Sequence, residues 1–194
     1  MKKVIFLLAA GFLVACSALT PEQTIEKYTQ GLKDGKYIGS LWDLEKFAKL
    51  YYAEYWDKAE QTDRDKMLSI IEQTSQNFAK MNQVNVAKSE IKSIKRVEEN
   101  DRQVKLAVLY VRANDPKVSL ELTFLLEKSG KSWKIINIEK ISTPMGGVID
   151  PLFIFKQNLP TLMKDLGYEA KELNLKAIAQ FFEEKFIKLQ PPKK

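Results

Sequence analysis

The residue types that carry most protein chemistry are nearly missing. Cys16 is the one cysteine and there is no histidine in 194 residues. This excludes zinc and copper sites of the usual kind, the Ser-His-Asp triad, the Cys-His dyad and imidazole proton transfer. A single cysteine also excludes an internal disulfide. Carboxylates remain. Asp43 and Glu45 stand two apart on a predicted helix and diverge, and Asp57 and Glu121 have no placed partner. Asp63 and Asp65 fall in the first turn of a predicted helix, where the helix dipole favours acidic side chains. A catalytic pair needs convergent geometry, and no spacing here supplies it. The chain is therefore expected to be no enzyme and to hold no metal and no cofactor.

The remaining reactive group is the thiol of Cys16, a nucleophile once ionised. It ends a stretch with a cationic start, Met1-Lys2-Lys3, and an apolar run from Val4. That pattern is a secretory signal. The run is short of the roughly 20 residues needed to span a bilayer. Leu13-Val14-Ala15-Cys16 resembles the bacterial lipobox. The resemblance implies a signal peptide over 1–15, cleavage before Cys16, lipidation of Cys16 and a lipid-anchored tether over 16–19. Ser17 stands where an aspartate would signal retention in the inner membrane, so the resemblance implies the outer membrane, facing the periplasm.

Hydrophobic residues make up 45% and charged residues 29%, the balance of a globular chain with a sizeable core. The formal net charge is +6, of which Lys2 and Lys3 contribute two. A mild basic excess favours an anionic membrane surface. Acidic and basic residues are interspersed rather than gathered in a stripe, so no nucleic-acid partner is expected.

The elements that must position any site come in two blocks. Thr20-Pro21-Glu22-Gln23 is a capping box with proline at the first helical position. Ile25, Tyr28 and Leu32 follow at helical spacing. A second helix runs to about Trp56, with an aromatic face that includes Phe47, Tyr51, Tyr52 and Tyr55. A third starts at Thr62 and is expected to end near Met81. Period two then takes over, predicting strands at about 89–97, 103–112, 118–127 and 133–141. The connectors are short and rich in turn residues, so neighbours should pair antiparallel. Val118, Leu120, Leu122, Phe124 and Leu126 alternate with polar positions, while the second and fourth strands are apolar on both faces. Thr143 to Gly147 reads as a loop, Asp150-Pro151 opens a helix interrupted by Pro160, and a last helix spans about 175–189.

The expected fold class is α+β. N-terminal helices pack on a curved four-stranded antiparallel meander, and C-terminal helices cover the sheet. One domain is expected over 20–190, with a disordered tail over 191–194.

Two segments carry a further resemblance. One is Leu41 to Ala59 followed by Thr62 to Leu68; the other is Lys131 to Glu139, then Gly147-Val148-Ile149 and Pro151 to Tyr168. Their order is similar to that of the periplasmic phospholipid carriers of the Mla pathway, the MlaC-like or toluene-tolerance family, within the wider NTF2-like class. The resemblance implies acyl chains of a phospholipid or fatty acid buried between helices and sheet. Phe47, Tyr51, Phe78, Val108, Leu122, Phe124, Phe153 and Phe155 are the residues expected to line that cavity. The alternative is a non-catalytic NTF2-like scaffold of the cell envelope that binds a protein partner.

Overall fold

The computed structural model describes residues 18–144, 146–165, 167–168 and 173–187. The predicted signal peptide, Cys16 and the tail over 191–194 lie outside them.

Helix α1 (Pro21–Lys33) begins with the anticipated box. Gln23 N–H donates to the Thr20 hydroxyl at 3.2 Å, and Thr20 N–H donates to the Gln23 side chain at 2.9 Å. Its end is set by Gly35, whose φ of +66° is open to few other residues. Lys36 N–H reaches Gly31 O at 2.8 Å and Gly35 N–H reaches Leu32 O at 3.0 Å, the paired bonds that close a helix through a left-handed residue. Gln76 then fastens the following loop, donating to Gly35 O and accepting from Tyr37 N–H.

Helix α2 (Leu44–Trp56) is capped by Asp43, and its start is tied to the sheet by Asp43 N–H on Ile135 O at 2.9 Å. Helix α3 (Gln61–Ala87) runs six residues beyond the expected end at Met81. Asn82 does not break it, because its amide donates to Phe78 O within the helix at 2.9 Å. The added turns pass directly into the sheet.

Strands β1 (Ser89–Glu99), β2 (Gln103–Arg112), β3 (Asp115–Ser129), β4 (Ser132–Thr143) and β5 (Gly147–Ile149) form one antiparallel sheet in sequence order. The meander thus has five strands, not the expected four. The fifth is three residues long, too short to display period two in a sequence. Its first residue, Gly147, has a φ of +71°. Register shifts leave extra residues on β1 and β4, and such bulges bend the strands that carry them.

One face of the sheet is apolar from edge to edge. Ile94, Val108, Leu122, Ile141 and Ile149 are successive cross-strand partners through all five strands. Helix α1 lies on this face, and Ile25, Tyr28, Leu106, Val108, Phe124, Leu126 and Ile135 are buried there as one core. A second core lies among the helices. It joins Tyr52 and Trp56 of α2, Met67 and Ile70 of α3, Leu159 and Met163 of α4 (Pro151–Asp165), and Ile178 and Phe181 of α5 (Leu175–Phe182). Helix α4 continues through Pro160 and touches β4, while α5 packs on α3 and α2.

A run of rings connects the two cores. Phe124 meets Tyr28 edge-on at 6.0 Å, Tyr28 meets Trp42 at 5.7 Å, and Trp42 meets Phe47 at 5.7 Å. Phe47 stacks on Tyr51 at 4.4 Å, and Phe155 receives both Tyr51 and Tyr52. Edge-on and offset contacts are the favoured geometries for aromatic pairs.

Candidate ligand-binding cleft

The extension of α3 creates the site. Phe78, Asn82, Asn85 and Val86 recur at helical spacing and stand over the apolar sheet face beside Tyr28, Thr29 and Leu32 of α1. Tyr110, Leu120, Leu122, Ile138 and Ile141 form the floor. Between helices and strands is an open cleft of about 400 Å³. This is within the size range of small-molecule sites, and its lining is chiefly apolar, as such sites are. Phe78 is 57% exposed and Val118 48% exposed at its edge. These are large apolar surfaces that water covers only at a cost in free energy.

Polar groups are few. The Tyr110 and Thr29 hydroxyls are hydrogen-bonded at 3.0 Å, joining α1 to β2 beside the cleft. Burial pushes the Tyr110 phenol up to about 12, and it pushes the Tyr28 phenol up further. Arg112 is the one charged residue in the lining, and Asn82, Asn85, Ser89 and Ser119 add neutral polar groups to it.

The residues expected to line a cavity separate into groups. Phe78 and Leu122 line this cleft. Val108 and Phe124 are sealed in the core beneath it, with no exposed surface. Phe47, Tyr51 and Phe155 belong to the ring series between the cores. The Tyr51 hydroxyl donates to buried Asn137 at 3.4 Å, and burial pushes its phenol up to about 12. Phe153 faces outward, 57% exposed.

Sequence reasoning missed Leu32, Tyr110, Leu120 and the Asn85–Val86 turn of α3 as lining residues. A usable signal existed for the strands, since Leu120 and Leu122 were already on the alternating apolar face. For Asn85 and Val86 the signal was lost with the helix end placed at Met81.

A second apolar cleft, of about 430 Å³, lies across Ile141 from the first. Ile149 of β5 and Pro151, Ile154, Phe155 and Leu162 of α4 enclose it with Ile141. Ile141 borders both clefts.

The carboxylates weighed for catalysis are engaged elsewhere or apart. Asp43 caps α2 and pairs with Lys46 at 3.6 Å, and Glu45 pairs with Lys49 at 3.5 Å. Glu127 of β3 is also engaged. Hydrogen bonds from Lys46 and Gln103 hold its carboxyl below the usual range. Among the described residues no group of three His, Cys, Asp or Glu side chains is placed to hold a metal ion. No helix among them is long and apolar enough to cross a membrane.

Comparison with known proteins places this chain in a family. The family described as MlaC protein matches residues 21–142. No curated protein matches the sequence. Among solved structures, the fold resembles a phospholipid-binding protein from Ralstonia solanacearum, solved in complex with a phospholipid. That chain is 15% identical, with a TM-score of 0.60 over 87% of this chain and 95% of the other.

Proposed function

Because this chain belongs to the MlaC family, we propose that it binds a phospholipid in the cleft between α1, α3 and the sheet and carries it as a non-catalytic lipid-handling protein. The observation that carries the reading is the cleft: about 400 Å³, chiefly apolar, and edged by exposed Phe78 and Val118. Burial of acyl chains supplies about 0.8 kcal/mol per methylene, so a partly buried chain is held firmly. The fold relative from Ralstonia solanacearum, described as a complex with a phospholipid, supports the same ligand class.

The same proposal includes the anchor. The Leu13-Val14-Ala15-Cys16 box supports lipidation at Cys16 and residence at the outer membrane, facing the periplasm. With α1 starting at Pro21, five residues after Cys16, the cleft stays close to the bilayer and handles lipid within reach of it.

Native mass spectrometry of the protein purified from the envelope, with organic extraction, tests the ligand. One phospholipid per chain is expected. Protein that arrives empty and takes up no fluorescent phospholipid removes the reading. Metabolic labelling with a palmitate analogue tests the anchor; wild type as unlabelled as Cys16→Ser would remove it.

A further inference from the structure

The cleft is not uniform along its length. At one end the floor is apolar, with Ile141 paired to Leu122 and Ile138 paired to Phe124. At the other end α3 runs into β1 and β2 ends. Ser89 and Arg112 are cross-strand partners there, and Ser119 pairs with Val111 on the next strand. The Ser89 hydroxyl donates to Asn85 O at 3.2 Å, so Asn85, Ser89 and Arg112 are gathered at one corner. Arg112 is exposed, and among the described residues no carboxylate lies within 4.0 Å of it, although Asp115 is its register neighbour on β3. A cleft that is greasy at one end and cationic at the other orients an amphiphile.

We propose that Arg112 is the headgroup-reading residue of this cleft, binding the phosphodiester of a glycerophospholipid whose acyl chains extend toward Ile138 and Ile141. The proposal rests on the phospholipid reading above and adds an orientation and a recognised group to it. A guanidinium presents two parallel N–H donors that match two phosphate oxygens, and hydrogen bonds to an anionic acceptor are roughly twice as strong as neutral ones. Asn85, Ser89 and Ser119 are neutral polar residues of the same lining. A phosphate is common to all glycerophospholipids, so this contact separates them from diacylglycerol, not from one another.

The test uses the full-length protein, purified in detergent and exchanged free of endogenous lipid. It is offered dioleoyl phosphatidylcholine or dioleoylglycerol, which share the same chains. Wild type should prefer the phospholipid by about tenfold in native mass spectra, the scale of one charge-assisted hydrogen-bond pair at an exposed rim. Arg112→Gln should lose that preference while taking up dioleoylglycerol as wild type does, and Arg112→Lys should keep part of it. Excess inorganic phosphate should not displace the phospholipid. If Arg112→Gln keeps the wild-type preference, the proposal falls and the cleft reading stands. Displacement by inorganic phosphate would make the corner a free-anion site and overturn the lipid assignment. If both variants bind neither lipid while wild type binds, Arg112 supports the fold and reads no headgroup. Wild type binding neither lipid would remove the cleft reading and this one together.

Discussion

The hydroxyls of Tyr110 and Thr29, 81 positions apart in sequence, lie 3.0 Å from one another and join the first helix to the second strand. Thr29 is 4% exposed, so its hydroxyl has little access to water as an alternative partner. Tyr110→Phe should cost about 1 kcal/mol, the usual net value of such a bond. That is a fall of about 2–4 °C in Tm for a chain of this size. Thr29→Val with Tyr110→Phe should cost little more than either change alone, since both remove one bond. Fully additive losses in thermal unfolding would show that the pair contributes nothing.

Phe78 separates binding from stability. It is 57% exposed, so Phe78→Asp should change stability by no more than about 0.5 kcal/mol. The same change puts a carboxylate at the edge of the cleft and should lower phospholipid occupancy in native mass spectra several-fold. Full occupancy in this variant would place the ligand away from α3.

Acid should act where Lys46 of α2 holds Glu127 of β3. The folded state lowers the Glu127 pKa, chiefly through the Lys46 hydrogen bond. A lowered carboxylate pKa stabilises the fold above the ordinary value near 4.5, and that contribution is lost as pH falls through the folded value. Wild type should therefore lose more stability than Glu127→Gln between about pH 5 and pH 3. Parallel curves from denaturant titrations at each pH would deny the pair that role.

Gly35 gives a test of the turn that ends α1. Its φ of +66° is left-handed, and a Cβ built there would lie 2.8 Å from the Gln83 side chain. Gly35→Ala should cost about 1–2 kcal/mol, while Gly35→Asn should cost less, because asparagine tolerates this region. Equal costs measured by urea unfolding would point to the Gln83 contact rather than the backbone.

The helices and the meander were legible because they rest on local signals. The Thr20–Gln23 box, the Asp43 cap and the alternation from Val118 to Leu126 each act within a few residues. The end of α3 was not legible. Asn82, Asn85 and Ser89 look like a stop, yet the Asn82 amide is satisfied inside the helix and only the fold shows that Val86 has a cleft to face. Strand β5 was hidden by its length. The site itself was half legible. Phe78 and Leu122 lie in it, but Val108 and Phe124 share the same apolar period and are sealed beneath α1. Periodicity tells which face is apolar and not which part of that face is left uncovered.

The ring series from Phe124 through Tyr28 and Trp42 to Phe155 has an optical consequence. Tyr28 borders the cleft and stands 5.7 Å from Trp42, and Trp42 is 5.7 Å from Phe47. Excitation absorbed by these tyrosines passes to the indole over such separations. Tyr28 thus links the indole of Trp42 to the wall of the cleft.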